Sequence, residues 1–272
     1  MEQDILRKVQ LAQLEIAREI RRVCDENGIS YVLCDGTFLG AIRHGGFIPW
    51  DDDMDIAMLR SEYEKFCRIA PDKLKPEYFL QTWYTDEGYA LPFAKVRKRG
   101  TLFVEAKAKQ LKENGFFVDI FPLDYAYEDP QKQSELIQKL VKLYRVKLMK
   151  SGYTPWMEGD RILWKKRIGY LYYQMKALFA NGQKLARAFD ELATSVGQTG
   201  LVCERCDVSH DRPYPVELFT APVPCTFENE VFSGPCDYDK YLTINYGDYM
   251  CLPPEDQREN RHQVEQLDFG NQ

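Results

Sequence analysis

Histidine is scarce in this 272-residue chain, which has three. No Ser/His/Asp arrangement stands out. There is neither a Gly-x-x-x-x-Gly-Lys-Ser/Thr phosphate loop nor a His-Glu-x-x-His zinc helix. A run of about eighteen apolar residues, the minimum for a helix that crosses a bilayer, is also missing, so no spanning helix is expected. Residues 1–10, MEQDILRKVQ, lack the apolar core of a secretory signal. A cytoplasmic location is therefore expected, extending to the inner face of the plasma membrane, with the eight cysteines as thiols. No internal repeat or low-complexity segment is evident.

What the chain does have is ample length for a core and an uneven charge. Its net charge is −6, yet residues 131–187 hold thirteen Lys/Arg against three Asp/Glu. That segment carries +10, which leaves −16 for the rest. A basic segment on an acidic chain suits an anionic partner: phospholipid headgroups, a lipid-linked phosphate or nucleic acid. One helix within it, around Trp164-Lys165-Lys166-Arg167 with Tyr170, Tyr172 and Tyr173, can rest on a membrane surface. The same pattern also fits a solvated face opposite a core stripe.

The most informative stretch is Cys34–Met58, CDGTFLGAIRHGGFIPWDDDMDIAM. Asp51, Asp52, Asp53 and Asp55 stand between Pro49-Trp50 and the apolar Ile56-Ala57-Met58, unlike a solvated acidic tail. Read as a strand, the run places Asp51, Asp53 and Asp55 on one face and Asp52, Met54 and Ile56 on the other. Three carboxylates on one face repel unless a cation lies between them, and hard oxygen ligands suit Mg²⁺ or Mn²⁺. Asp119 is the second notable acid, in the apolar run Phe116-Phe117-Val118-Asp119-Ile120-Phe121. A charge there is costly unless it is paired or metal-bound. Its partner is either one of Lys95, Arg97, Lys98 and Arg99 or a metal shared with Asp53 and Asp55. In the metal reading Asp53, Asp55 and Asp119 are the catalytic acids.

Candidate phosphate contacts lie around these acids. Gly36-Thr37 opens a short helix, whose free N–H groups can hold phosphate, or it forms a simple turn. Arg43 and His44 either face a phosphate or are solvated. Lys95, Arg97 and Arg99 alternate along a strand and can neutralise a diphosphate, or else form an exposed basic face. Cys203, Cys206, Cys225 and Cys236 are spaced too loosely for a tight zinc knuckle, so free thiols are expected in preference to structural zinc.

The periodicity predicts a mixed α/β (α+β) fold. A helix spans 4–26 and stops at Asn27-Gly28. Strands are expected at Ile29–Leu33, Tyr78–Trp83, Phe93–Arg97, Thr101–Glu105 and Phe116–Phe121, the last broken by Pro122. Helices are expected at Thr37–Arg43 and from Ser61, capped with Glu64, to Pro71. Residues 1–128 form the core. Residues 130–197 form a helical region with caps at Asp129 and Asp160 and a third helix from about Gln183 to Val196. Residues 198–272 are expected to be irregular, apart from a helix near Tyr238–Tyr246, and to pack back on the core of a single catalytic domain.

Four strings together resemble the LicD family of phosphotransferases, which includes bacterial phosphocholine transferases, fukutin and the fukutin-related protein. They are DGTFLGAIRHGGFIPWDDDMDIAM, PFAKVRKRGT with Glu105, GFFVDIFPLD and YDKYLTINYGDYMCLPPEDQR. The resemblance implies a nucleotidyltransferase-like mixed sheet flanked by helices. It further implies transfer of a phospho-alcohol from a CDP-activated donor, usually CDP-choline or a CDP-polyol, to a hydroxyl of a glycan, with release of CMP. The acceptor would be a lipopolysaccharide, teichoic acid or capsule precursor, free or lipid-linked, with peripheral membrane contact. No nucleic-acid partner is expected. By motif position Asp53 and Asp55 bind the metal, Asp51 is a further ligand, Asp119 is the third carboxylate, and Gly36 and Thr37 meet the donor phosphates. Transfer of NMP from a nucleoside triphosphate is the competing chemistry. The four cysteines depart from the family pattern.

Overall fold

The computed structural model describes residues 2–105, 111–153, 164–204, 212–260 and 264–270. In chain order these form α1 (Gln3–Asn27), β1 (Val32–Leu33), α2 (Asp35–His44), β2 (Asp55–Leu59), α3 (Arg60–Lys73), β3 (Tyr78–Gln81), β4 (Ala94–Lys98), β5 (Leu102–Glu105) and β6 (Phe117–Tyr125). Next come α4 (Pro130–Lys150), α5 (Trp164–Phe179), α6 (Gly182–Ala193), β7 (Leu201–Glu204), β8 (Tyr214–Pro215), α7 (Glu217–Thr220), β9 (Val223–Phe227), β10 (Glu230–Gly234), α8 (Tyr238–Tyr246) and β11 (Val264–Asp268). The protein is a mixed α/β fold of the α+β kind, with helices packed on a curled mixed sheet.

That sheet has seven strands, in the order β1-β2-β6-β4-β3, with β7 and β8 continuing from the far half of β6. Only β2 and β6 run parallel; the other pairs are antiparallel. β6 is the axis of the molecule. Its residues from Phe117 to Asp124 are all buried, as expected of a strand covered on both faces. The apolar stripe of α1, including Val9, Ile16, Ile20 and Val23, is buried in the same core. The helix ends at Gly28, whose φ of +58° fits the left-handed cap that glycine adopts without strain.

β6 is not broken at Pro122 but runs on to Tyr125. On its antiparallel side β4 pairs only as far as Ile120 and β7 takes over at Leu123. Pro122 falls between the two partners, where a strand proline costs no ladder bond on that side. Helix α3 likewise carries Pro71 in its last turn and ends at Lys73, and no side chain caps its start, so the Ser61 capping box does not form. β4 and β5 follow one another around Gly100 but are not hairpin partners: β4 pairs β3 and β6, and β5 pairs β11.

The largest correction concerns the chain beyond residue 198. It is not irregular. It supplies β7 and β8 to the main sheet, the β9–β10 hairpin, and β11, which closes on β5. Tyr241 of α8 and Phe227 and Phe232 of the hairpin are buried in the main core. These strands are short and two of them, β8 and β9, contain proline, so their alternation is too brief to register as a period.

Between β6 and β7 the described elements are the helices α4, α5 and α6. Asp129 caps α4 by accepting from the N–H groups of Gln131 and Lys132, with Pro130 in the first turn. Asn181 caps α6; Asp160 lies outside the described residues. α4 and α6 enclose a second apolar core of Leu136, Leu140, Ala186, Phe189 and Ala193, which also takes in Trp83 and Tyr89. A buried bidentate pair fastens the two cores. Arg60 donates to both oxygens of Asp124 at 2.6 and 2.7 Å and lies 3.7 Å from Asp190 of α6.

Candidate active site

The parallel pairing of β2 and β6 sets Asp55, the first residue of β2, opposite Asp119, the third residue of β6. The antiparallel pairing of β6 and β4 sets Lys95 opposite Asp119 on the other side. Three neighbouring strands thus carry two acids and one cation side by side, each at most 7% exposed. Lys95 Nζ lies 2.9 Å from Asp119 Oδ1 and donates a hydrogen bond to Oδ2 at 3.2 Å. The ammonium also sits 3.4 Å above the Phe117 ring, a cation–π contact strengthened by the lack of water.

Backbone anchors fix the acids. The Asp55 N–H donates to Thr37 Oγ1 at 2.8 Å, and the Asp119 N–H donates to the Met54 carbonyl at 3.0 Å. Strand β2 begins only at Asp55; Asp51–Met54 is irregular chain. The expected strand face shared by Asp51, Asp53 and Asp55 therefore does not exist as such. Two side chains on the buried face of α1 hold the segment instead. Gln10 Nε2 donates to the Asp51 carbonyl at 2.9 Å and Gln13 Nε2 to the Asp52 carbonyl at 2.7 Å. One oxygen each of Asp51, Asp52 and Asp53 comes within 4.8 Å of the others. Asp52, expected on the opposite face, belongs with the acidic group and is fully buried.

Gly36, at the start of α2, admits this group. A Cβ on Gly36 would stand 2.6 Å from Asp51 Oδ2, so only glycine allows the carboxylate so close to the helix N-terminus. The neighbouring Asp35 adopts φ +44°, a left-handed conformation uncommon outside glycine, and its N–H donates to Tyr241 Oη at 3.0 Å.

The electrostatics are those of crowded acids. Burial, then the charges of Asp53, Asp119, Asp35 and Asp51, pushes the Asp55 carboxyl well above the usual carboxylate range. Burial also raises Asp119, against the opposing pull of Lys95. Both acids hold protons more tightly than free aspartate unless positive charge is brought to them.

The other expected residues are distributed as follows. Arg97 shares the Lys95 face of β4 and lies 4.9 Å over the same Phe117 ring. It is buried, donating to Gln81 Oε1 at 2.6 Å and the Gly115 carbonyl at 2.7 Å. Arg99 lies beyond the strand end and pairs with Glu113. Arg43 and His44 are at the far end of α2, about 10 Å along the helix from Gly36. There Arg43 donates to the Tyr249 and Cys251 carbonyls, and His44 packs edge-on against Trp50. They are not gathered with Asp55 and Asp119. Of the four cysteines, Cys203, Cys225 and Cys236 lie on separate segments, with Cys203 accepting from Gln133 Nε2 and Cys236 facing the Glu217 carbonyl. Cys206 lies outside the described residues. None of the seven described cysteines is in a disulfide.

Sequence reasoning missed Tyr89. Its hydroxyl is buried without a hydrogen-bond partner among the described residues, and the Asp119 charge adds to the burial that raises its phenol. Its loop carries no periodicity to mark it. Gln10 and Gln13 did leave a signal: two polar residues three apart within an apolar stripe.

Residues 28–158 match the family model for the LicD/FKTN/FKRP nucleotidyltransferase domain. The chain is also 32% identical over 268 residues to the lipopolysaccharide cholinephosphotransferase LicD of Haemophilus influenzae, covering 94% of this chain and 96% of that protein. The chain belongs to the LicD family. It is an enzyme of the LicD transferase type. A shorter match, 46% identical over 44 residues, connects it to ribitol 5-phosphate transferase FKRP of Homo sapiens, over 16% of this chain and 9% of that protein. An uncharacterized protein of Rickettsia typhi is 29% identical over 125 residues, 46% of this chain and 38% of that protein.

The matched LicD region contains the whole acidic group, and the site fits a divalent ion. Its donors are hard carboxylate oxygens. Its acids repel one another, and Asp119 Oδ1 is held by its ion pair to Lys95 with no further hydrogen bond among the described residues. Lys95 is the one cation ion-paired to these acids among those residues.

Proposed function

We propose that this LicD-family enzyme moves phosphocholine from CDP-choline to a hydroxyl of a lipopolysaccharide precursor and releases CMP. The observation that carries the reading is the buried Asp55–Asp119 register pair beside the Asp51–Asp53 cluster. It stands in a chain alignable almost end to end with a lipopolysaccharide cholinephosphotransferase. Asp53, Asp55 and Asp119, with Asp51 as a further ligand, would hold Mg²⁺ or Mn²⁺. Such an ion, when bound, offsets charge on the phosphates and on the departing CMP oxygen.

The chain's own residues do the rest. The acceptor hydroxyl oxygen bonds to the β-phosphorus of the donor as the bond from that phosphorus to the CMP oxygen breaks. Asp119 takes the hydroxyl proton. Lys95 keeps Asp119 in position. Thr37 fixes Asp55 through its backbone, and Gly36 leaves room for Asp51 at the helix terminus.

A phospho-polyol donor is the second reading, supported by the match to the ribitol 5-phosphate transferase. The test is CMP release from CDP-choline, CDP-ribitol, CDP-glycerol and CDP-ethanolamine, with Mg²⁺ or Mn²⁺, with and without glycan acceptor, and with Asp53→Asn as control. Acceptor-stimulated release from one donor, lost in the variant, supports the reading and identifies the alcohol. Pyrophosphate from CTP or ATP, with no CMP from any donor, overturns it in favour of nucleotidyl transfer.

A further inference from the structure

Helix α5 has an apolar face that no other element covers among the described residues. Its inner side packs on α4 through Tyr173 and Ala177, both buried, with Arg145 of α4 5.9 Å over the Tyr173 ring. On its outer side Ile168, Leu171, Tyr172, Met175, Leu178 and Phe179 are each more than half exposed, Phe179 at 85%. They recur at steps of three and four and fall within an arc of about 120° on an ideal helix. Scattered exposed apolar residues need no explanation, but a continuous stripe along one helix does.

The charge around the stripe identifies its occupant. The α5 sequence, WKKRIGYLYYQMKALF, contains no acid and four basic residues. Arg167 and Lys176 are exposed and fall on opposite borders of the apolar arc, and Lys176 lies 5.8 Å from the Tyr172 ring. Lys132, Lys139, Lys142 and Lys150 of the adjoining α4 are exposed too. An apolar stripe edged by cations on an otherwise acidic chain matches the section through an anionic membrane surface, with acyl chains below and phosphates at the rim. It does not match a polar protein partner. A second copy would bring the same basic border against its own.

We infer that the outer face of α5 docks this protein onto anionic phospholipid, with Leu171, Met175, Leu178 and Phe179 entering the headgroup–acyl boundary and Arg167 and Lys176 on the phosphates. The inference stands on α5 alone and is independent of the donor and acceptor. α4 leads from this face towards the loop that carries Tyr89: Lys147 near its end donates to the Glu87 carbonyl at 3.2 Å.

The test is flotation of the full chain with phosphatidylglycerol-containing vesicles and with pure phosphatidylcholine vesicles, for wild type, Leu171→Glu/Met175→Glu and Arg167→Glu/Lys176→Glu. Wild type should float with the anionic vesicles, at least tenfold more than with neutral ones, and less as salt is raised. Both variants should lose at least tenfold in binding. Their melting temperatures and their CMP release with a water-soluble acceptor should be unchanged, because these side chains do not line the acidic site. Equal binding by the variants, or none by wild type, overturns the inference. A wild-type dimer in solution that Leu171→Glu/Met175→Glu converts to monomer also overturns it and assigns the stripe to a second copy.

Discussion

Asp55 and Asp119 face each other across the one parallel ladder of the sheet, and Lys95 flanks Asp119 from the antiparallel side. Because three neighbouring strands fix them, the acids cannot relax apart. Their repulsion is a property of the backbone register, and it is strongest when nothing positive is added.

This gives Asp55→Asn a paired signature. A carboxyl whose pKa is raised by folding binds its proton more tightly in the folded state than in the unfolded chain. Above the unfolded carboxyl's range it therefore destabilises the fold, increasingly as pH rises towards the raised folded value, and that penalty disappears as pH falls below about 4, where the unfolded carboxyl is protonated too. Asp55 is raised in this way. In chelator-treated protein at pH 7.5, Asp55→Asn should raise the melting temperature by a few degrees, and wild type should gain stability from pH 7.5 towards 5.5. CMP release should be lost. Thermal scans at both pH values check it, and a variant less stable than wild type at pH 7.5 contradicts it.

Lys95→Met should act in the opposite sense. It strips a buried carboxylate of its counter-ion, which costs about 3–5 kcal/mol where the acid stays ionised. Without Lys95, Asp119 is raised further, so the loss should be largest at pH 8 and smaller at pH 5.5. Added Mg²⁺ should recover more melting temperature in the variant than in wild type. Denaturant titrations at the two pH values, with and without Mg²⁺, read this directly.

Gly36→Ala introduces a Cβ 2.6 Å from Asp51 Oδ2. The carboxylate must swing away, while α2 is otherwise content with alanine. Mn²⁺ affinity should fall about 10–100-fold with little change in the unfolding midpoint. Isothermal titration with Mn²⁺ beside a melting curve separates the two effects.

The distinction between what the residues revealed and what they concealed is physical. Asp55 and Asp119 were legible because an acid inside an apolar strand needs a partner wherever the strand lies. Asp52 was misplaced because two-residue alternation was extended back to Asp51, whereas Gln10 and Gln13 of a distant helix hold Asp51–Met54 out of the sheet. Thr37 read as a phosphate contact, and its hydroxyl oxygen proves to receive the Asp55 N–H. The strands beyond residue 198 were invisible because two to five residues are too few for a period, and β7 and β11 find their partners β6 and β5 far away in sequence. The exposed face of α5 was half legible: its helical spacing was plain, but whether a neighbour covers it depends on packing.

Arg60→Met tests the fastening of the helical region. It removes the bidentate partner of Asp124 and the nearby charge from Asp190, and should cost about 3–5 kcal/mol. Arg60→Met/Asp124→Leu should recover much of that loss. Urea midpoints of the single and double variants supply the comparison.

The most direct measurement is CMP release from CDP-choline with lipopolysaccharide acceptor and Mg²⁺, run on wild type and Asp119→Asn across pH 5–9. The account predicts acceptor-stimulated release by wild type that falls on the acid side as Asp119 gains its proton. It predicts a loss of about 10²–10⁴-fold in the variant, without that acid limb. Release that ignores the acceptor, or an Asp119→Asn profile that keeps the wild-type acid limb, would contradict it.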